Sequence, residues 1–494
     1  MRERWVVTSF LTVSTASDSA QGDKVLLLKR SDKVGTYQHH WAAVSGSIEP
    51  TDTSPLSRAL IEIQEETTLT SADLELVRVG RVLTIYAPNL STVWKVHPFL
   101  FRVLCDASKI TIDWEHEKYE WITPDELEHY QTVPNLVETF YRVYLPEHVH
   151  SSLMDMYNNR SSGAQQLAAE ALNTMDEVVR LKSLRTYCKN AKEMFYAMLN
   201  IGWYFTQIRP TMKAPIIYAV VQVMSKSREI LEQEGGNESG ISVEEYEQKM
   251  LDIIDGIKQS SKDADRKIVN HFLQLTLNAE SSPSHLHIMT ISYSSTIYSS
   301  LLSLIQSIQS LPDHTLKITI MESRPLNEGS IGLARKLLNN LPETAKPRVE
   351  IQIITDASCA YFMPTVTHVI IGADRIAGKD ATVINKIGSF PLALSAKYHD
   401  KPIIVVTRTD KLASTDEGEQ LEENAAEEVV SMYENWSKFG TNKNIRVRNV
   451  YFESLEPKLI NGYVTEHGVL KANDIINIWQ GRKDDEKFFD LLEE

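Results

Sequence analysis

Cysteine is scarce in this chain of 494 residues, which contains only Cys105, Cys188 and Cys359. These residues lie far apart in the sequence, so they fit neither a disulfide framework nor a cysteine-based metal cluster. Long hydrophobic runs are also missing, since none approaches the roughly 18 residues that are needed to span a bilayer. We therefore predict a protein of a reducing, cytoplasmic compartment that has no membrane partner.

Positive charge is in deficit as well. The chain has 51 Lys and Arg residues against 66 Asp and Glu residues, which gives a formal net charge of −15. This balance argues against a general nucleic-acid binder, although a local basic cleft for a phosphorylated small molecule is compatible with it. The apolar fraction of 42% is typical of a globular protein with large cores.

A helix is predicted over residues 55–68, within a region that otherwise has the pattern of strands. Ser54 is the expected cap, and a proline occupies the first turn, where it is tolerated. The helix carries Glu62, Glu65 and Glu66, and their spacing of i, i+3 and i+4 places the carboxylates on one face. Such a face is either a solvated surface or a site for a hard cation such as Mg²⁺.

The sequence around this helix resembles the signature of the Nudix family, in which a glycine-containing loop precedes an acidic helix. Gly46 matches the loop glycine, and the segment from Glu62 to Leu69 matches the core of the helix. The resemblance implies an α/β sandwich in which Glu62, Glu65 and Glu66 are metal ligands, with Glu65 and Glu66 also catalytic. It further implies that Mg²⁺ or Mn²⁺ activates water to hydrolyse a nucleoside or sugar diphosphate.

Two positions depart from that signature. Ile61 stands where the family has arginine, and Thr68 stands where it has glycine. The loop is one residue longer than usual, so Asp52 is the nearest substitute for the loop glutamate. Because losing the arginine removes a partner that orients the carboxylates, catalysis and a non-catalytic assembly role both stay open. Three later carboxylates are candidates for an additional ligand or base, and the sequence does not choose among them: Glu115, Glu117 and Glu120.

After residue 145 the spacing of apolar residues changes from that of strands to that of helices. Arg160 and Gly163 precede one predicted helix, and Arg209 precedes another. Backbone N–H groups at helix starts bind anions, although an ordinary cap beside an exposed arginine explains each motif equally well. We predict three units, which are 1–145, 146–282 and 283–494.

The third unit alternates apolar strands with helices, which predicts a parallel, doubly wound sheet. No GxGxxG follows its first strand, so the dinucleotide fingerprint is missing. Polar residues follow the predicted strands, including Asp374 after the strand at 368–371. Asn385 and Lys386 are expected at the start of the next helix, and residues 410–430 are expected to form a solvated loop and helix. Because strand ends converge in such sheets, a pocket for a phosphorylated small molecule is predicted.

The motifs SGA, RPT, ESRP, GADRI, NKIG and TEHGVL occur in this order between residues 161 and 470. This region resembles the family shared by the α, β and δ subunits of initiation factor 2B and two sugar-phosphate isomerases, which implies a Rossmann-like domain. Asp374 would then be the isomerase acid/base. The residues implied to bind substrate are Arg160, Gly163, Arg209, Ser292, Arg324, Asn385 and Lys386.

Two differences separate this pocket from an isomerase of that family. Ser292 stands where the isomerases have a cysteine, and a hydroxyl does not reproduce the acidity of a thiol, whose ordinary pKa is about 8.5. Glu328 also replaces a glutamine.

Three hypotheses follow, which are a Nudix hydrolase joined to a sugar-phosphate-binding domain, an isomerase that uses Asp374, and a non-catalytic regulatory protein. The resemblance also implies a homodimer formed through the C-terminal domain and, for the regulatory hypothesis, a translation-factor partner.

Overall fold

The structure is a computed structural model that describes residues 1–13, 23–159, 162–209, 212–234, 240–277, 284–413, 424–431, 433 and 444–493. Within these ranges no helix combines the length and the hydrophobicity that crossing a membrane requires. All three cysteines carry free thiols.

The N-terminal part is built on one mixed sheet of eight strands. Its central strand β1 is apolar and largely buried from Val7 to Thr12, and it pairs in parallel with β7 and antiparallel with β2 and β4. Separate apolar clusters cover the two faces of the sheet. The strands are β1 Arg2–Val13, β2 Lys24–Arg30, β3 Trp41–Ala42, β4 Val44–Ser47, β5 Leu74–Val79, β6 Leu83–Ala87, β7 Thr92–Val103 and β8 His116–Ile122.

Helix α1, Pro55–Thr67, lies against this sheet and confirms the predicted helix. Its start is fixed by a reciprocal pair of hydrogen bonds, in which the Ser57 N–H donates to Ser54 Oγ at 3.1 Å and the Ser54 N–H donates to Ser57 Oγ at 3.0 Å. Ala59 and Ile63 on its inner face are fully buried. One side of the acidic segment of α1 therefore faces the sheet.

A layer of helices follows, and it matches the predicted change of periodicity. Apolar stripes on these helices, such as Leu167, Met175 and Met198, meet in the largest apolar cluster of the chain. The helices are α2 Leu136–Tyr141, α3 Glu147–Asn158, α4 Ala164–Arg180, α5 Ala191–Gln207, α6 Lys213–Glu234 and α7 Val243–Leu277.

The predicted parallel sheet is confirmed, and its strand order identifies where a ligand pocket belongs. The order β11-β10-β9-β12-β15-β18-β19 corresponds to 3-2-1-4-5-6 along the chain, with β19 added antiparallel. The order reverses between β9 and β12, and ligands bind beyond the carboxyl ends of strands at such a point. The strands are β9 His285–Ile291, β10 Thr315–Met321, β11 Val349–Ile354, β12 His368–Ile371, β15 Ile403–Val406, β18 Gly462–Thr465 and β19 Gly468–Leu470.

A second, four-stranded sheet corrects one prediction. Asn385 and Lys386 do not open a helix, because they end strand β14, which pairs with β13 and β17. The β-branched residues before them favour a strand, and β17 comes from a distant part of the chain, so local sequence gave little sign of the pairing. The remaining elements are β13 Arg375–Ala377, β14 Thr382–Lys386, β16 Leu412–Ala413, β17 Phe452–Leu455, α8 Ser295–Ile308, α9 Arg335–Asn339, α10 Cys359–Phe362, α11 Ser389–Tyr398, α12 Ala426–Val430 and α13 Ala472–Gln480.

Candidate functional site

The three carboxylates of helix α1 have different surroundings. Glu62 and Glu66 are buried, whereas the side chain of Glu65 is 61% exposed. Gly46 lies directly against Glu62, since a Cβ atom at this glycine would be 1.5 Å from Glu62 Oε1. The loop glycine that the sequence singled out therefore makes room for the first carboxylate of the helix.

Glu62 already faces a cation of the chain itself. Arg58, one turn earlier on α1, donates from Nε to Glu62 Oε1 at 2.7 Å and also contacts it through Nη2. The same guanidinium lies 3.7 Å from Glu65 Oε2. Burial raises the pKa of Glu62, and the bond from Arg58 opposes that rise.

Glu66 is the buried carboxylate that has an unsatisfied oxygen. Its Oε1 accepts a hydrogen bond from the Ser45 N–H at 3.2 Å, but Oε2 has no hydrogen-bond partner among the described residues. The nearest cationic candidate is His116, with Nε2 at 3.6 Å, and burial lowers the pKa of this histidine. Burial raises the pKa of Glu66 well above its ordinary value, and the charge of Glu115 adds to the rise.

Of the three carboxylates that follow α1 in the sequence, Glu115 is therefore the one whose charge affects the carboxylates of this helix. Its charge raises the pKa of both Glu62 and Glu66. Glu117 instead pairs with Lys29 at 3.1 Å, and Glu120 accepts from Tyr130 at 2.9 Å. The sequence alone did not separate these three residues.

Of the three carboxylates of α1, only Glu66 offers a buried oxygen that is open to a divalent cation in this arrangement. No group of three or more His, Cys, Asp or Glu side chains in the described part of the chain is placed to hold a metal ion. Glu62 is occupied by Arg58 and Glu65 points to solvent, so only Glu66 offers a buried, unsatisfied oxygen. Mg²⁺ or Mn²⁺ at this helix stays a prediction.

The second candidate site lies where the order of the parallel strands reverses. Ser292 follows β9, and Asp374 follows β12. Ser292 has a φ of 67°, and its N–H donates to Ser323 Oγ at 2.7 Å. The end of β9 is thus tied to the loop after β10, which carries Arg324. The converging strand ends expected from the sequence are present.

Asp374 is partly buried, and the charges of two buried lysines act on it. Burial raises the pKa of Asp374, and the charges of Lys411 and Lys386 oppose the rise. Lys411 donates from Nζ to the carbonyl oxygen of Ala373 at 2.5 Å. Burial lowers the pKa of Lys411, which the charge of Asp374 opposes. A carboxylate that is desolvated but faced by cations is suited to exchanging a proton with a ligand.

Lys386 is the second lysine whose charge acts on Asp374. Its Nζ is 2.7 Å from Glu328 Oε2 and 4.2 Å from the centre of the Tyr451 ring. Asn385 donates from Nδ2 to Ser389 Oγ at 2.8 Å, a contact that fixes the start of α11. The replacement of a glutamine by Glu328 therefore supplies the partner of Lys386.

The structure describes only some of the residues that were predicted to bind phosphate. Arg160 lies outside the described residues. Gly163 precedes α4, and its N–H donates to Gln166 Oε1 at 3.2 Å. Arg209 donates from Nη1 to the Asn159 carbonyl at 2.8 Å, and Arg324 donates from Nη2 to the Val429 carbonyl at 3.0 Å. A phosphate role for these residues stays a prediction.

Two functional candidates were missed in the segment that was expected to be solvated. Asp410 and Lys411 are 5% and 8% exposed, which corrects the prediction of a solvent-facing loop at this point. Arg408 Nε lies 2.8 Å from Asp410 Oδ2, so these two buried charges form an ion pair. Asp410 and Lys411 closely follow strand β15, and the rule that located Asp374 at a strand end would also have identified them.

Comparison with known proteins matches two regions of the chain. The Initiation factor 2 subunit family matches residues 160–472, which is more than half of the chain. This chain belongs to that family. A NUDIX domain precedes the family region and is matched over residues 10–143. The domain boundaries at 145 and 282 stay a prediction.

The relatives of the family region include sugar-phosphate isomerases. The chain is 34% identical over 170 residues to a methylthioribose-1-phosphate isomerase of Vitis vinifera, covering 33% of this chain and 43% of that protein. It is 31% identical over 164 residues to a ribose 1,5-bisphosphate isomerase of Haloferax volcanii, covering 33% of this chain and 47% of that protein. The chain thus spans about half the length of the curated relatives it matches.

A solved structure shares the fold of the family region. The 5-methylthioribose 1-phosphate isomerase of Pyrococcus horikoshii OT3 superposes with a TM-score of 0.50 at 18% identity, covering 68% of this chain and 88% of that one. At this identity the likeness supports the Rossmann-like fold and nothing further.

Proposed function

We propose that the family region binds a phosphorylated pentose and interconverts its aldose and ketose forms, with Asp374 as the acid/base. The observation that carries the proposal is the position of Asp374, which follows β12 at the reversal of strand order and acts with Lys411 and Lys386. Isomerases of methylthioribose 1-phosphate and ribose 1,5-bisphosphate among the relatives support the same class of ligand.

The reaction needs no oxidant or reductant from outside the sugar. As the C1–O4 bond of the sugar ring breaks, the hydrogen on C2 moves to C1 and the C2 hydroxyl becomes a carbonyl. The proton that leaves this hydroxyl balances the proton that the ring oxygen takes up, so C2 is oxidised, C1 is reduced, and groups that accept and return protons are sufficient. Burial moves the pKa of Asp374 upward, towards the range in which a carboxyl group exchanges protons near neutral pH. Lys411 and Lys386 would stabilise the negative charge that develops on the sugar oxygens.

The binding roles follow from the chemistry of the residues. Arg209, Arg324, Arg160 and the Gly163 N–H would hold the phosphate, because guanidinium and backbone N–H groups are suited to phosphate oxygens. Ser292 would contact the sugar at the end of β9. A serine hydroxyl stays protonated at neutral pH, so Asp374 would carry the proton transfer without help from an acidic thiol.

The test is a direct assay of the full chain. Methylthioribose 1-phosphate, ribose 1,5-bisphosphate and 5-deoxyribose 1-phosphate are supplied separately, ketose formation is followed by NMR, and binding is measured by calorimetry. Asp374→Asn should abolish conversion and retain binding. The matched control is Asp380→Asn, because Asp380 is exposed and accepts a hydrogen bond from the Thr382 N–H of its own turn at 2.9 Å.

The outcomes separate the hypotheses. Binding without conversion in the wild-type chain would favour the non-catalytic, regulatory role. The absence of both binding and conversion would overturn the proposal. Conversion that is unaffected by Asp374→Asn would remove Asp374 from the chemistry.

A second proposal concerns the NUDIX domain, which would hydrolyse a nucleoside or sugar diphosphate with Mg²⁺ or Mn²⁺. The unsatisfied Glu66 Oε2 and the space that Gly46 leaves for Glu62 favour it. The cation would need Arg58 to leave Glu62. Mn²⁺ binding followed by electron paramagnetic resonance, together with hydrolysis of ADP-ribose, tests the proposal. No turnover, or turnover that is unchanged in Glu65→Gln and Glu66→Gln, would reject it.

Assembly and location stay predictions. A homodimer formed through the C-terminal domain is tested by light scattering of the full chain. The regulatory hypothesis predicts that translation factors are recovered with the chain in a pull-down, and recovery of a lone homodimer would count against it. A cytoplasmic location is tested by imaging the tagged protein.

A further inference from the structure

The segment after residue 472 lies beyond the part of the chain that the family matches. It consists of helix α13, Ala472–Gln480, and a 3₁₀ helix, Asp485–Leu492. Instead of extending into solvent, the segment runs back across the chain. Its contacts reach both sides of the Asp374 pocket.

On one side, Trp479 packs against the turn that joins β13 and β14. A Cβ atom at Gly378 in this turn would be 1.9 Å from Trp479 Cδ1, so the indole occupies the space that only a glycine leaves open. Strand β14 carries Asn385 and Lys386 from this turn to the pocket. The segment therefore supports the strand that delivers Lys386.

On the other side, Arg482 holds the turn that carries Lys411. Arg482 donates from Nη1 to the Thr409 carbonyl at 2.9 Å and from Nη2 to Thr409 Oγ1 at 3.3 Å. Its guanidinium also lies 4.2 Å from the centre of the Tyr218 ring, which fixes its plane. Thr409 begins the 3₁₀ turn Thr409–Lys411.

Two other charged groups support the turn, which are Glu466 and the ion pair between Arg408 and Asp410. The Thr409 N–H lies 3.2 Å from both carboxylate oxygens of Glu466. Arg482 and Glu466 thus hold the carbonyl side and the N–H side of the same residue. Two residues later, Lys411 Nζ reaches the Ala373 carbonyl beside Asp374.

The far end of the segment is anchored elsewhere. Phe489 and Leu492 are buried in the apolar cluster of the helical layer. Arg81, on the N-terminal sheet side, donates from Nε to Glu493 Oε1 at 2.8 Å and also pairs with Asp490. This second anchor contacts neither Thr409 nor Lys411, which makes it a matched control.

We propose that Arg482 is a positioning residue, which fixes the turn Thr409–Lys411 and thereby places Lys411 beside Asp374. It acts through Thr409 and does not touch the ligand. The consequence for activity rests on the proposed isomerase function. The consequence for the turn does not, so the two can fail separately.

The test compares Arg482→Ala, Arg482→Lys and Arg81→Ala in the full chain. Hydrogen–deuterium exchange of a peptide spanning 408–412 should be about tenfold faster in Arg482→Ala, because both bonds to Thr409 are lost. Acetylation of Lys411, measured by mass spectrometry, should rise in parallel. Arg482→Lys should restore part of the protection, and Arg81→Ala should lower the melting temperature without changing either readout at 408–412.

Activity gives a separate readout. With a sugar phosphate that turns over, Arg482→Ala should lower kcat by about tenfold with little change in KM, since Lys411 would act on the developing charge more than on ligand binding. Unchanged exchange at 408–412, or an equal increase in Arg81→Ala, would overturn the proposal. If Arg482→Ala does not fold, Arg482→Gln keeps the side-chain length and is judged by the same exchange readout. If no sugar phosphate turns over, the exchange experiment still decides.

Discussion

The acidic helix of the NUDIX domain and the pocket of the family region both enclose carboxylates, but they balance the charge differently. Glu62 is bonded to Arg58, and Glu66 keeps an oxygen that no hydrogen bond satisfies. The charges of Lys411 and Lys386 instead act on Asp374 and oppose the rise in its pKa, and neither lysine forms a close ion pair with it. The Arg58 guanidinium takes up a Glu62 oxygen that a metal ion would need, whereas the charges of Lys411 and Lys386 oppose the rise in the pKa of Asp374.

This comparison explains why the resemblances to two enzyme families do not support enzyme activity equally. In the NUDIX domain the acidic residues are retained, but Arg58 occupies the place where a cation would have to be bound. In the family region the cysteine is replaced by Ser292, yet the lysines around Asp374 are present and buried. The charge environment of a residue is therefore more informative than its identity alone.

Among the variants that test this comparison, Lys411→Met is expected to have the largest effect. Losing this cation removes charge that stabilises the Asp374 carboxylate, so kcat for the sugar phosphate should fall about 100-fold. The pKa of Asp374, already raised by burial, should rise further, and the acidic limb of the kcat profile should move to higher pH. Lys386, which is paired with Glu328, would be the remaining cation.

The control for this variant is Lys458→Met, because Lys458 is exposed and forms an ion pair with Glu456, which is also exposed. It should leave both kcat and the pH profile unchanged. An unshifted acidic limb in Lys411→Met would show that Lys411 does not act on Asp374.

An intermediate effect is expected from Arg58→Ala. Removing the guanidinium frees Glu62 beside the unsatisfied Glu66 oxygen, so Mn²⁺ should bind roughly tenfold more tightly than to the wild-type chain. Electron paramagnetic resonance of free Mn²⁺ measures the change. Arg102→Ala is the control, since Arg102 pairs with Glu75 on an exposed part of the same sheet. Equal affinity in all three proteins would show that Arg58 does not compete with a cation.

Most of this architecture could be predicted from the sequence, because strands and helices are fixed by local periodicity. The strand at 368–371 and the helix start at Pro55 are examples. The placement of Lys386 on β14 and the burial of Lys411 could not, because both depend on partners far away in the chain. Arg58 was overlooked since the family places its arginine next to the first glutamate, not one turn before it.

The smallest effect is expected from Glu66→Gln. Burial raises the pKa of Glu66 in the folded chain, so the ionised form destabilises the fold at neutral pH and the protonated form does not. The stability tied to the protonated carboxyl is present at low pH and is lost as pH rises through the raised pKa. The variant should therefore melt about 2 °C higher than the wild-type chain at pH 7.5.

The same comparison at acidic pH is the control for Glu66→Gln. Near pH 4 the wild-type carboxyl is protonated, so the gain in melting temperature should disappear. A gain that is equal at both pH values, or a loss at pH 7.5, would show that Glu66 is not a strained, buried charge.

The central claim is that Asp374 carries a proton between sugar carbons. It is tested most directly by turnover of a pentose 1-phosphate in D₂O, with deuterium at each sugar carbon measured by NMR. Because a carboxyl group exchanges its proton with solvent, the account predicts deuterium in the ketose at the carbon that receives the proton. Conversion that retains the original hydrogen completely, at every extent of reaction, would contradict the claim.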